Sequence, residues 1–253
     1  MSRLTVATWN VNGVRAREEQ LLEWLDDASP DVVCLQEIKA SPEVLSDRLR
    51  ELEGYWSLWH GEGGYSGVSL HVSRDRCDAC PTFTHPPFDM ETRIAAATVE
   101  GIEVASIYVP NGGKDFAAKL RFLEAMRAYA SELREAGQPA LLCGDLNVAL
   151  TDRDLHPKEQ RKKDQVGTRP DERALLDEVI GEGLVDVGRA LDPDNDRLYT
   201  WWAPWRNLRQ RNIGWRIDYV LASRGLFEGV VSCEVQAEVG TSDHAPVVAT
   251  FDI

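Results

Sequence analysis

Short apolar runs rich in β-branched residues recur along this chain from end to end, and no other feature constrains its fold as much. LTVATWNV, DVVCLQEI, SGVSLHVS, RIAAATVE, IEVASIYV, ALLCGDLNV, RIDYVLAS and VVATFDI all have the length and composition of strands. Helical spacing appears between them. Leu21, Leu22, Leu25 and Ala28 repeat at that spacing within residues 16–28. Phe116, Leu120, Leu123, Ala130 and Leu133 do so within 115–136, with Gly137 and Pro139 as a stop signal. Leu175, Leu176, Val179 and Ile180 mark a third helix over 171–183. Strands spread over the whole length, with helices between them, predict an α/β fold in which two packed sheets carry helices outside. No linker or strong repeat divides the chain, so one domain over residues 1–253 is expected. The longest polar stretch, residues 151–173, reads as a long surface loop.

The net charge of −14 argues against a uniformly basic nucleic-acid surface. The charge is uneven, however. Residues 201–216 hold Arg206, Arg209, Arg211 and Arg216 with no acid, together with Trp201, Trp202, Trp205 and Trp215. An acidic body with one basic, aromatic strip can bind a polyanion locally, aided by a bridging cation. No apolar run is long enough to span a bilayer, and MSRLTVATWN lacks the apolar core of a secretory leader, so a cytoplasmic protein is expected. The five cysteines are scattered. Cys34 and Cys143 lie in apolar runs and read as buried free thiols; Cys77 and Cys80 form a C-x-x-C with no partner pair at zinc-site spacing and read as incidental.

Chemistry is expected where the apolar runs end. The first ends in Asn10-Val11-Asn12-Gly13 and the second in Gln36-Glu37. A middle one ends in Tyr108-Val109-Pro110-Asn111 and the next in Gly144-Asp145-Leu146-Asn147. Asp218 lies inside another run, and Ser242-Asp243-His244 stands before the last. Turn chemistry accounts for any single case, Asn12-Gly13 above all. It accounts poorly for the whole set, and least for Glu37 and Asp218. Convergence at one end of the sheets is the sharper reading. Oxygen ligands without Cys or several His favour a hard cation such as Mg²⁺ or Mn²⁺. One His beside an Asp suits charge stabilisation or proton transfer. No nucleophilic Ser elbow or P-loop is present. Cation-assisted phosphoester hydrolysis satisfies these limits.

TWNVNGVRAR (8–17), LQEIK (35–39), YVPNGG (108–113), GDLNVA (144–149), NIGWRIDYVLAS (212–223) and SDHAPV (242–247), in this order, resemble the exonuclease III class of abasic-site endonucleases within the endonuclease/exonuclease/phosphatase superfamily. The resemblance covers essentially the whole length. It implies a DNase I-like four-layer α/β sandwich with its site at one edge of the two sheets. It also implies a Mg²⁺-dependent DNA repair endonuclease, with Mn²⁺ able to substitute. Such an enzyme cuts double-stranded DNA on the 5′ side of an abasic site, leaving a 3′-OH, with 3′→5′ exonuclease or 3′-phosphodiesterase activity alongside.

The same resemblance implies roles. Glu37 is the main cation ligand, supported by Asn12 and, for a second ion position, Asp243. Asp145 orients and deprotonates the attacking water, positioned by Asn10 and Asn147. Tyr108 and His244 contact the scissile phosphate, and Asp218 holds His244. Trp201, Trp215 and Ile217 wall a pocket for a baseless sugar, Asn111 and Asn212 touch flanking phosphates, and Lys114 and Trp205 wedge into bent DNA. Core packing serves as well for Trp202. Relatives that carry Asp in place of Asn12 have one more carboxylate at this site. The expected partner is DNA, with no membrane and a monomeric enzyme. Two alternatives remain open: a phosphatase of the same fold acting on small or lipid phosphoesters, and a non-catalytic nucleic-acid-binding regulator.

Overall fold

The computed structural model describes residues 2–160 and 164–253. The chain forms β1 (Arg3–Asn10), β2 (Val32–Gln36), β3 (Tyr55–Glu62), β4 (Tyr65–Ser73), β5 (Phe83–Thr84), β6 (Ile94–Val99), β7 (Ile102–Tyr108), β8 (Ala140–Asp145), β9 (Leu184–Asp186), β10 (Asp218–Ser223), β11 (Val230–Val235) and β12 (Val247–Asp252). Its helices are α1 (Glu18–Ala28), α2 (Asp47–Arg50), α3 (Phe116–Glu135), α4 (Pro170–Gly181), α5 (Val187–Leu191) and α6 (Arg224–Phe227). The strands make two six-stranded sheets, ordered β11-β12-β1-β2-β4-β3 and β5-β6-β7-β8-β10-β9. Each has one parallel pair at its centre, β1 with β2 and β7 with β8. A helix joins each pair, α1 in the first half and α3 in the second. Antiparallel strands flank both pairs.

Period-two alternation builds the layers. In β1, Leu4 and Val6 face the core between the sheets, while Ala7 and Trp9 pack outward with Leu21, Trp24 and Leu25 of α1. In β8, Leu141 and Cys143 face inward, while Leu142 packs outward with Leu123 and Met126 of α3 and Leu176 and Val179 of α4. Both sheet faces are therefore covered, which gives the four-layer sandwich. Each fully buried Leu or Val side chain contributes about 1.5–3 kcal/mol relative to exposure, so these rows fix the strand register.

Several boundaries differ from expectation. The aromatic, half-buried YWSLWHGE of edge strand β3 lacks the alternation that marks the other strands. The buried stripe of α3 is Lys119, Phe122, Leu123, Met126 and Ala130, one step round from the expected face, because a lysine occupies an inward position. Residues 151–173 are more than a surface loop: Asp154, Leu155, Gly167 and Glu172 are buried, and α4 already begins at Pro170. Residues 161–163 of that stretch lie outside the described residues. Cys34 and Cys143 are buried, Cys80 is exposed, and all five thiols are free. No helix among the described residues is long and apolar enough to cross a membrane.

Candidate active site

The inward rows that are apolar through the sandwich turn polar towards one end. Thr8 bonds Gln36 at 3.2 Å, and Gln36 crosses to Ser106 of the other sheet at 3.2 Å. Beyond them the row continues as Asn10 at the end of β1, Tyr108 at the end of β7, Asp145 at the end of β8 and Asp218 at the start of β10. Tyr108, Asp145 and Asp218 are in register across three neighbouring strands. The carboxyl ends of the two parallel pairs thus meet in one place, where an open α/β sheet places its ligands. Gly144 lets β8 approach β7 here: a Cβ would stand 1.8 Å from the carbonyl oxygen of Ile107.

Asn10 stitches the sheets together. Its Nδ2 donates to Glu37 Oε1 at 3.1 Å and to Asp145 Oδ2 at 2.9 Å, and its Oδ1 accepts the Asn12 amide at 3.0 Å. Asn12 and Glu37 both have positive φ, 47° and 51°, which turns their side chains out of the strand rows. Glu37 Oε1 also accepts Tyr108 Oη at 2.8 Å. Asn12 Nδ2 donates to Asp243 Oδ1 at 2.8 Å, and Trp201 Nε1 donates to Asp243 Oδ2 at 2.9 Å.

Across the cleft, Asp218 Oδ2 lies 2.9 Å from His244 Nδ1 and accepts Thr200 Oγ1 at 2.6 Å. The other face of the imidazole, Nε2, stands 3.8 Å from Asp145 Oδ2. Asp145 Oδ1 accepts the Asn147 amide at 2.9 Å. Asn147 Oδ1 in turn accepts Asn111 Nδ2 at 3.2 Å.

Burial and charge divide these groups. Burial pushes the Asp145 carboxyl up to about 7, and the charges of Asp218 and Glu37 act in the same sense against the pull of His244. Burial works against the His244 imidazolium, yet Asp218 and then Asp145 outweigh it and raise this group to about 10. Burial also works against the Glu37 carboxylate, but hydrogen bonds from Lys39 and Asn10 hold it below its usual value. Asp243 is held down against burial by the charge of His244 and by Trp201 and Asn12. Burial, followed by the charge of Glu37, raises the Tyr108 phenol.

A cavity of about 370 Å³ opens beside this cluster. Glu37, Asp145 and His244 line one side, and Trp201, Trp215 and Ile217 form an apolar wall. The Trp201 and Trp215 rings meet edge to face with centroids 5.8 Å apart. Gly167 closes the wall behind them, where a Cβ would come 2.8 Å from the Trp215 ring.

These geometric findings agree with the comparisons. The model of the Endonuclease/Exonuclease/phosphatase family matches residues 7–244. The chain belongs to that family. It is 32% identical over 256 residues to the exodeoxyribonuclease of Bacillus subtilis, covering 99% of this chain and 100% of the relative. It is 34% identical to Recombination repair protein 1 of Drosophila melanogaster, over 99% of this chain but only 37% of that longer protein. The solved structure of an AP endonuclease from Archaeoglobus fulgidus superposes with a TM-score of 0.87 at 32% identity, covering 99% of this chain and 100% of that one.

The oxygen-rich donor chemistry of the cluster suits a hard cation. Lys39 of the LQEIK motif, with no role expected of it, already sits among these donors. Its Nζ lies 2.6 Å from Glu37 Oε2 and 2.6 Å from Asn12 Oδ1. These oxygens already converge on a positive charge, as ligands for a cation must. Asp145, Asp218 and His244 also approach one another closely enough to share an ion. A histidine held protonated up to about 10 is a poor metal ligand, so this trio is better read as a charge-paired dyad beside a carboxylate.

Other expected contacts fall outside the cavity. Asn111 is the exception and lines it beside Asn147. Lys114 extends over the Tyr65 ring, 5.4 Å from its centroid. Asn212 spends its polar atoms on Trp202 Nε1 and the Arg197 carbonyl. Trp205 is 60% exposed and lines a separate crevice of about 240 Å³ with Lys158, Arg206 and Arg211. The basic strip is shorter than its sequence: Arg216 is buried against Asp154 and Asp186, and Arg209 bonds the carbonyls of Ala237, Val239 and Ser242. Trp202 is buried in a local core cluster.

Sequence reasoning missed the buried Lys119–Glu172 pair at 2.5 Å. Lys119 also donates to the Asn147 carbonyl at 2.7 Å, and Glu172 accepts the amides of Gly167 and Arg169 at 2.5 and 2.9 Å. A lysine and a glutamate at inward helical positions were the available signal.

Proposed function

We propose that this protein is a Mg²⁺-dependent DNA repair endonuclease that hydrolyses the phosphodiester on the 5′ side of an abasic site, leaving a 3′-OH. The supporting observation is the junction of Asp145 and His244 with a cavity walled by Trp201, Trp215 and Ile217. Apolar walls of this kind suit an extrahelical sugar without its base and exclude an intact nucleotide by size. The names of its relatives agree with this reading.

Glu37, with Asn12 and Asp243, would hold the cation, Mg²⁺ or Mn²⁺, which on binding neutralises phosphate charge. Asp145, near 7, is poised to take a proton from water at neutral pH, the range where a general base works best. Asn10 and the Asn147 amide fix the direction of its two oxygens. His244, kept charged by Asp218, faces the same space and stabilises negative charge that develops on the phosphate oxygens. Tyr108, whose hydroxyl now donates to Glu37, would be a second donor there. Asn111 lines the cavity, Lys114 extends over Tyr65, and Trp205 projects from a separate basic crevice; all three would contact the flanking strands of the duplex. The free thiols suit a cytoplasmic setting, and the assignment needs only one copy of the chain.

The deciding assay is a duplex carrying one tetrahydrofuran residue, incubated with Mg²⁺ beside an undamaged control. Incision 5′ to the lesion, abolished by EDTA and restored by Mg²⁺ or Mn²⁺, is expected. Release of phosphate from small esters without incision of the duplex would overturn the assignment in favour of a phosphatase.

A further inference from the structure

Away from the cleft, His60, His85 and Asp89 each bring a ligand atom to within 4.8 Å of the others. They come from both sheets. His60 lies on β3, an edge strand of the first sheet, and His85 and Asp89 follow β5, the edge strand of the second. The hydrolytic reading gives none of them a role.

The surroundings orient all three. Asp89 Oδ1 is occupied by the amides of Arg93 and Ile94, at 2.8 and 3.1 Å. That leaves Oδ2, which lies 2.6 Å from His60 Nε2. His85 Nδ1 lies 3.4 Å from the Ile94 carbonyl, so Nδ1 carries the proton and Nε2 is left bare. Metal-binding histidines are commonly fixed in this way by a carbonyl on the far nitrogen. The two imidazoles are stacked, with centroids 3.8 Å apart and planes 22° from parallel, so one ring must turn before both lone pairs meet a single ion. His85 is exposed, which gives an ion a way in and leaves room for water to complete its shell.

We propose that His60, His85 and Asp89 form a transition-metal site of the Zn²⁺ class that clasps the edges of the two sheets. Two imidazoles and a carboxylate are a zinc-type donor set, unlike the all-oxygen set that suits Mg²⁺. Donors on a tetrahedral ion with bonds near 2.0 Å stand about 3.3 Å apart. Admitting one requires the His60–Asp89 contact to open from 2.6 Å and one of the stacked imidazoles to turn. The site also reaches the cleft. Arg93, whose amide holds Asp89, lays its guanidinium 4.6 Å over the Tyr108 ring.

Chelator-treated protein titrated with Co²⁺ in excess Mg²⁺ tests the site, because tetrahedral Co²⁺ absorbs visibly. One equivalent of Co²⁺ is expected, displaced by Zn²⁺ and raising Tm. His85→Asn, an exposed change that keeps the fold, should weaken binding by at least about tenfold, the low end for loss of even an outer-shell partner. Incision at saturating Mg²⁺ should survive in that variant. Glu37→Gln should lose the Mg²⁺ response and keep the Co²⁺ band. No band in the wild-type protein, a full band in His85→Asn, or loss of the band in Glu37→Gln would each overturn the proposal. His60→Gln gives an independent second reading of the same loss.

Discussion

The two halves of the molecule repeat one plan, a parallel strand pair bridged by a helix, and each half contains a lysine–glutamate pair that serves the site. In the first half, Lys39 meets Glu37 at 2.6 Å, with the side chains 34% and 18% exposed. In the second, Lys119 meets Glu172 at 2.5 Å with both at 0%. The first pair belongs to the cleft, and its lysine bonds the oxygens proposed to hold the cation. The second lies behind the cleft and ties α3, α4 and the loops after β7 and β8 to one another. The difference extends to the carboxylates at the strand ends. Glu37 is satisfied by a cation and two donors and stays ionised. Asp145 is buried among like charges and is pushed up to about 7. One half is built to attract positive charge and the other to handle a proton.

The largest expected effect breaks the second half's chemistry. Asp145→Asn removes the proposed base without changing its shape, and turnover should fall by about 10⁴-fold, the upper range for a positioned general base. Binding to a duplex with a tetrahydrofuran residue should hold within a few-fold, measured by fluorescence anisotropy. Retained turnover would move the base elsewhere. Next in size is Lys119→Met. An uncompensated, buried Glu172 should cost about 3–5 kcal/mol in urea denaturation, whereas pairing the change with Glu172→Leu should recover most of the loss. Equal destabilisation of the single and double variants would mean that the contacts to the Asn147 carbonyl and the Gly167 amide, and not the ion pair, carry the stability.

The sandwich was legible in the sequence because period-two alternation and helical spacing are local signals. Leu4 and Val6 against Ala7 and Trp9 already separate two faces of β1. The strand-end cluster was legible because Asn10, Glu37, Asp145 and His244 break apolar runs where polar groups are costly. What stayed hidden depends on long-range partners. Arg216 looks like part of a basic strip until Asp154 and Asp186, distant in the chain, bury its charge. Asn212 looks available to a phosphate until Trp202 and Arg197 occupy its amide. His60 lies on one sheet and His85 just after a strand of the other, and no spacing rule would pair them.

Smaller effects sharpen the contrast between the halves. His244→Ala should lower turnover by about 10²-fold, as for loss of one charge-stabilising donor. The pH profile gives the sign. The proposed roles need Asp145 ionised and His244 protonated, so kcat/KM should rise as pH passes about 7 and fall as it passes about 10. His244→Ala should remove the alkaline limb and leave an acid limb set by Asp145, shifted upward because the opposing positive charge is gone. An alkaline limb unchanged in that variant would assign it to another group.

The smallest effect concerns the first half. Lys39 shares Glu37 and Asn12 with the incoming cation, so the two compete for the same oxygens. Lys39→Ala should therefore lower the Mg²⁺ concentration for half-maximal incision. The pair is partly solvated, and such pairs contribute only about 0.2–1 kcal/mol, so the gain should be at most about fivefold. It should shrink as salt rises, because ions screen an accessible lysine. An increased Mg²⁺ requirement in Lys39→Ala would mean that the ammonium holds Glu37 in place for the cation instead of competing with it. The first half would then resemble the second, with both lysines acting as supports.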